Sequence, residues 1–271
     1  MGAAMNHPTE TLQTFLDAAP SAALVEVREA KGSTPREEGA WMLVSPEAIF
    51  GTIGGGQLEF MAIARARELI SDNLANGALD IPLGPEIGQC CGGRVALDIR
   101  LLDVAERRAL VKRVRDEAGA FPQVILFGGG HVGHALALAL TPLPVRVLVV
   151  ETREEALEDF PSDVETRLAA LPEEAVRSAP AGTAFVVLTH DHALDFLLVA
   201  EALARDDAAY VGMIGSKTKR ATFRSWYLKN GGDERRFAQL TTPIGGNAVH
   251  DKRPAVIAAM AAAEILTALQ S

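Results

Sequence analysis

The segment Gly128-Gly129-Gly130-His131-Val132-Gly133 constrains this chain more than any other stretch of it. It follows the apolar run "QVILF" and precedes "HVGHALALAL", so it reads as a glycine turn between a buried strand and a helix. Gly128 permits the tight turn, Gly130 lets the backbone approach a phosphate, and Gly133 lets helix and strand pack closely. The next strand, "VRVLVVE", ends on Glu151, 23 residues after Gly128, where such folds place an acid against a ribose hydroxyl. Strand, loop, helix, strand and acid together predict a nucleotide-type fold. They do not predict hydride transfer, because a loop of this shape also serves domains whose nucleotide site is empty or reassigned.

The same rhythm continues to the end of the chain. "AFVVLT" feeds a helix after "HDHALD", and "AAYVGMIG" feeds a helix after "SKTKR". Strands alternating with helices imply a parallel sheet covered on both faces. The last helix, "PAVIAAMAAAEILTAL", should pack against that sheet or against a partner. Before Phe121 the pattern is different. "TLQTFLDAA" reads as a helix, "SAALVEVREA" as a strand running into a turn at Lys31 to Pro35, and "AWMLVSPEAIFGTIGGG" as two short strands broken at Ser-Pro. "QLEFMAIARARELISDNLANG" has helical spacing and a stop at Asn76-Gly77, "RVALDIRLLD" alternates as a strand, and "VAERRALVKRVRDEAGAFP" is a charged helix and connector. A length of 271 residues suits two domains. The expected architecture is α/β: a smaller N-terminal α+β domain over residues 1–118, then a C-terminal Rossmann-like domain over residues 119–271 with helices on both faces of a parallel sheet.

Charge and hydropathy narrow the partners. A formal charge of −9 repels phosphate backbones, which argues against nucleic acid. No apolar run approaches the roughly 20 residues that cross a bilayer, and the start lacks the regions of a signal peptide, so a cytoplasmic location is expected. The only two cysteines, Cys90 and Cys91, are neighbours in "GQCCGG". A bridge between them would close a strained ring, so they read as thiols, either reactive or simply small residues in a tight loop.

Ligands of an open parallel sheet sit beyond the C-terminal ends of its strands, which singles out the residues that follow each strand. His190 and His192, with Asp195, could contribute to a metal or contact a phosphate, while Asp191 could simply cap a helix. Lys217, Lys219, Arg220 and Arg224 form a basic patch on an acidic protein, suited to an anionic cofactor or to a solvated helix face. In the first half, Gly54-Gly55-Gly56 ahead of a helix could approach a ligand backbone-first or let two segments cross, and Arg36 could pair with a phosphate or carboxylate.

Six segments, in order, carry a resemblance: "GSTPREEGAWMLV", "GTIGGGQLE", "GQCCGG", "VILFGGGHVG", "LTHDHALD" and "YVGMIGSKTKR". Together they resemble the XdhC/CoxI family. The family comprises accessory proteins that bind molybdenum cofactor, protect it during sulfuration and help insert it into molybdenum hydroxylases such as xanthine dehydrogenase. The resemblance implies cofactor contacts at Gly54, Gly55, Gly56, Gly128, Gly130, His131, Gly133, Glu151, His190, His192 and Lys217. It also implies that Cys90 or Cys91 approaches molybdenum or accepts sulfur, close to a cleft between the domains. The implied partners are an apo molybdenum hydroxylase, a cysteine desulfurase and a second copy of the chain in a homodimer, and no bond-making catalysis by this chain is required. The tail departs from the pattern: "TPIGGNAVHDKRPAVIAAM" lacks the expected Leu-Asp pair and acidic helix start. Two other readings stay open. One is an NAD(P)-dependent oxidoreductase resting on the glycine loop and Glu151; the other is a thiol-based sulfur relay, against which the absence of C-x-x-C spacing counts.

Overall fold

A computed structural model describes residues 8–84, 92–161, 164–246 and 248–270. The chain divides into two compact units, His7–Arg115 and Asp116–Ser271, so the division falls within a long helix just before Gly119.

The first unit is built on a five-stranded antiparallel sheet in the order β3-β2-β1-β5-β4. Its elements are α1 (Pro8–Ala18), β1 (Ala23–Lys31), β2 (Trp41–Val44), β3 (Ile49–Gly51), α2 (Gly56–Ser71), β4 (Asn76–Pro82), β5 (Arg94–Leu101) and α3 (Val104–Ala120). Successive residues of a strand face opposite sides, and β1 uses both. Ala23, Val25 and Val27 pack with Leu58, Ala62, Ala66 and Leu69 of α2, whereas Leu24 packs with Leu12 and Leu16 of α1 and Leu110 and Val114 of α3.

One boundary differs from the sequence expectation. The helix predicted to run to Asn76-Gly77 ends at Ser71, Asn73 turns the chain with φ 54°, and Asn76 and Gly77 open β4, with Asn76 opposite Arg100. The glycine serves packing rather than termination, since a Cβ on Gly77 would lie 2.8 Å from Leu69 Cδ1 of α2.

The second unit is α/β, as expected. Its sheet is parallel throughout, in the order β11-β10-β9-β6-β7-β8. The strands are β6 (Gln123–Phe127), β7 (Arg146–Glu151), β8 (Glu165–Leu168), β9 (Ala184–Val187), β10 (Tyr210–Met213) and β11 (Leu240–Thr241). The helices are α4 (His131–Leu140), α5 (Glu173–Ser178), α6 (His192–Ala204), α7 (Lys217–Lys229), α8 (Glu234–Phe237) and α9 (Pro254–Leu269). Counted from β6 the order is 6-5-4-1-2-3, the doubly wound order whose switch point lies between β6 and β9. One face of the sheet, with Ile125, Phe127, Phe185 and Val187, is covered by α5 to α8. The other, with Val124, Leu126, Ala184 and Val186, is covered by α4 and by the apolar α9, whose Ala258, Ala261 and Ile265 are buried there.

The first turn of α4 lies so close to β6 that position 133 has no room for a side chain. A Cβ there would collide with Gly128 O and come within 2.9 Å of Leu188 Cδ1. Gly133→Ala is expected to destabilise the protein by about 1–3 kcal/mol in urea denaturation, the range for forcing atoms into filled space. Gly119→Ala in α3, where a Cβ meets nothing within 4 Å, is the control and should leave stability unchanged or improve it. Equal behaviour of the two variants would contradict this account of the loop.

Candidate functional site

The C-terminal ends of the parallel strands bring the motif residues of the second unit to one rim. Gly128 follows β6 with φ 119°, and a Cβ on it would lie 2.5 Å from Leu188 O, so the glycine loop and the loop after β9 touch at the switch point. Among the described residues no side chain caps α4, so the N–H groups of its first turn can donate to an outside acceptor. His131 stands exposed at the start of that turn.

Glu151 is where the sequence placed it, at the end of β7, but its carboxylate turns inward. Oε2 accepts from Gly129 N at 2.9 Å and Arg153 Nη2 at 3.1 Å. Oε1 accepts from Thr152 N at 2.7 Å, Thr152 Oγ1 and Arg153 N at 3.2 Å, and Arg153 Nε at 3.4 Å. Six donors on two oxygens fill a carboxylate's capacity. Burial pushes this carboxyl up, yet the Arg153 hydrogen bond and the Gly129 and Thr152 N–H groups outweigh it and hold it at about 2. The chain after β7 also covers the loop on this side. A Cβ on Gly129 would collide with Ala156 O and reach 3.3 Å from the Phe160 ring, and His134 Nε2 lies 3.0 Å from Asp159 O.

A second acid organises the loops after β9 and β10. Asp195 is completely buried; its Oδ1 accepts from Thr189 Oγ1 at 2.7 Å and Thr189 N at 3.1 Å, and its Oδ2 takes the ammonium of Lys219. Lys219 also donates to Ile214 O at 3.0 Å. Asp191 is the N-cap of α6, accepting from Ala193 N at 2.8 Å and Leu194 N at 3.4 Å. His190, His192 and Lys217 stand exposed on this rim. Among the described residues no group of three His, Cys, Asp or Glu side chains is placed to hold a metal ion.

In the first unit three motifs meet. A Cβ on Gly54 would lie 2.6 Å from Pro35 Cβ, and one on Gly93 would lie 2.6 Å from Lys31 O, so the triple glycine and the glycines after the cysteines both abut the Lys31 to Arg36 turn. Gly54, Gly55 and Gly56 all have positive φ, at 123°, 77° and 65°. Glu59 holds them from within its helix: its Oε2 accepts from Thr52 Oγ1 at 2.5 Å, Gly55 N at 3.1 Å and Ile53 N at 3.2 Å. The triple glycine thus lets two segments cross, one of the two roles expected of it. Arg36 is exposed. Cys90 and Cys91 lie outside the described residues. On either side of their segment, Leu83 and Gly93 are joined by Leu83 N to Gly93 O at 2.7 Å, and Gly92 N donates to Leu83 O at 2.8 Å.

Comparisons with known proteins agree with this layout. Residues 124–265 match the XdhC Rossmann domain, and residues 16–76 match the XdhC and CoxI family. Over 258 residues, 90% of its length, the chain is 25% identical to the uncharacterized protein YqeB of Escherichia coli K12. It spans only 43% of that longer protein. A Bacillus halodurans protein whose crystal structure is described as that of a xanthine dehydrogenase superposes with a TM-score of 0.80, covering 98% of this chain and 96% of its own. At 17% identity that likeness speaks for the fold alone.

The Glu151 cluster predicts a pH signature. Its carboxyl has a lower pKa in the folded chain than the ordinary 4.5, so its stabilisation is complete above 4.5 and is lost as pH falls towards 2. Glu151→Gln is expected to cost on the order of 2 kcal/mol at neutral pH, allowing for solvent around the half-exposed Arg153. The gap between wild type and variant in urea denaturation should narrow steadily between pH 4.5 and 3. A gap independent of pH would contradict the assigned interaction.

Proposed function

Because the chain belongs to the XdhC and CoxI family, we propose that it binds molybdenum cofactor as cargo, shelters it during sulfuration and delivers it to a molybdenum hydroxylase such as xanthine dehydrogenase. The carrying observation is that the family similarity extends over both units, residues 16–76 and 124–265.

The cargo is an anionic phosphorylated pterin with molybdenum on a dithiolene, and the rim of the second unit suits its charge. Uncapped N–H groups at the start of α4 can donate to an anion, with Gly130 and Gly133 keeping the backbone bare there. His131, His190 and His192 stand exposed around the switch point and can donate to phosphate or pterin oxygens. Glu151 contributes by holding Gly129 rather than by touching the cargo. In the first unit, Cys90 or Cys91 supplies a soft thiolate to molybdenum or takes the outer sulfur of a desulfurase persulfide, which leaves as its thiol; nearby, Gly93 abuts the Lys31 to Arg36 turn. A cysteine desulfurase, the client apoenzyme and a second copy of the chain are the partners of this reading. Phe60, 68% exposed on α2, is an apolar side chain available to such contacts.

The geometry at Glu151 favours cargo handling over the dinucleotide-dependent alternative. A ribose needs a free acceptor at the end of β7, and here both carboxylate oxygens are engaged and the loop is covered by Ala156 and Phe160. Hydride transfer would require that cluster to open.

Co-expression with an apo molybdenum hydroxylase tests the proposal. Client activity and client molybdenum content should both rise severalfold with the wild-type chain, and less with Cys90→Ala or Cys91→Ala. An unchanged client would overturn the delivery role; full activation by the double alanine variant would overturn the thiol role alone.

A further inference from the structure

The parallel sheet ends on one side at β8, whose residues Glu165 to Leu168 are all exposed. We infer that β8 pairs antiparallel with the same strand of a second copy, about a two-fold axis at Thr166, so that two parallel sheets join edge to edge. This pairing rests on the second copy in the proposed function and is independent of the cargo.

The direction of the main-chain groups is the first support. Strand β8 runs parallel to β7 with Thr166 opposite Val149, and Ala169 N donates to Glu151 O at 2.8 Å. Alternate residues of a strand turn their N–H and C=O groups to opposite edges. Glu165, Arg167 and Ala169 therefore serve β7, while Thr166 and Leu168 point away from it. Among the described residues no group meets the outward N–H and C=O of Thr166 and Leu168. An open row of this kind is a template for another strand.

The other sheet edges are shorter or guarded. Strand β3 has 3 residues and β11 has 2. In β4, the bonds from Leu101 N to Ala75 O and from Leu83 N to Gly93 O turn the odd-numbered residues towards β5. Asn76, Ala78, Asp80 and Pro82 are left on its outer side, and Pro82 has no N–H to offer there.

Charge then fixes the register. Outward residues must meet outward residues, so a second copy can slide along β8 only in steps of two. With Thr166 opposite itself, the Glu165 of each strand faces the second copy's Arg167, on both sides of the axis. One step in one direction sets Arg167 against Arg167, and one step in the other sets Glu165 against Glu165, like charges placed directly opposite. Within one copy Arg167 Nη2 lies 3.8 Å from Glu165 Oε1 and both side chains are largely exposed, so each is open to a partner across the axis. A row of like charges would guard the edge against a copy of itself, whereas this alternation attracts one. Leu168 and Leu171, 52% and 56% exposed, continue the edge with apolar surface suited to burial against a second copy.

Sedimentation equilibrium of the full chain tests the pairing. The wild type should dimerise. Thr166→Pro removes one outward N–H but none of the bonds to β7, so it should keep the circular dichroism spectrum of the wild type and lose the dimer. Arg167→Glu should weaken dimerisation about tenfold by setting like charges opposite at two places. Adding Glu165→Arg to it exchanges the two charges and should restore the wild-type affinity, a recovery that a folding defect would not show. A wild type that stays monomeric up to its solubility limit, a dimer equally strong in all variants, or a charge-exchanged variant as weak as Arg167→Glu overturns the assignment. Cofactor retention and client activation play no part in this readout, so failure here and failure of the delivery proposal are distinguishable.

Discussion

Carboxylates turned onto glycine and threonine loops hold this protein's motifs in place. Asp195 has no solvent exposure and binds the Thr189 N–H and hydroxyl together with the Lys219 ammonium, joining the loops after β9 and β10. Glu151 binds Gly129 N, Glu59 binds Gly55 N, and Glu264 of α9 binds Gly245 N at 2.7 Å and the hydroxyl of Tyr210 at 3.1 Å. Each loop has glycine or short side chains because its backbone must pass close to another segment, and backbone that bare is conformationally costly to hold. A carboxylate accepting two or more N–H or O–H donors supplies the restraint. A buried charge without its partners would cost several kcal/mol, so the buried Glu151 and Asp195 tie their neighbours to a single arrangement.

This use of acids shapes the chemistry left at the surface. Glu151 and Asp195 are consumed internally, whereas His131, His190, His192 and Lys217 remain exposed at the strand ends. The first turn of α4 has no side-chain cap, and α7 has no acid in its first turn. An acidic protein therefore presents exposed donors and cations, with some acids among them, at the C-terminal ends of its parallel strands. Donors and cations grouped in this way suit an anion better than a neutral ligand.

Much of this was legible in the sequence. The parallel sheet followed from apolar strands alternating with helical segments, and the Gly128 to Gly133 turn and the acid closing β7 stood where their spacing put them. Long-range relations were not legible. Nothing local to Glu151 says that its carboxylate faces Gly129 rather than solvent, because that depends on Thr152 and Arg153 folding back over it. A cleft beside α7 was half visible, as a cluster of cations, but Thr242 and Phe237 line it only because the chain around β11 and α8 folds beside α7. The strand β8 escaped notice because all four of its residues are exposed at the sheet edge and no apolar alternation marks it. Asn76-Gly77 misled for a different reason: a glycine needed beneath Leu69 carries the same letters as a helix stop.

The central proposal is that a doubly wound fold carries an anionic pterin cargo, with the acid that closes β7 committed to the glycine loop. Equilibrium dialysis of the purified chain against molybdenum cofactor and against NADH measures this directly. The account predicts stoichiometric retention of molybdenum cofactor that excess NADH does not displace. Saturable NADH binding with no retention of the cofactor would contradict it.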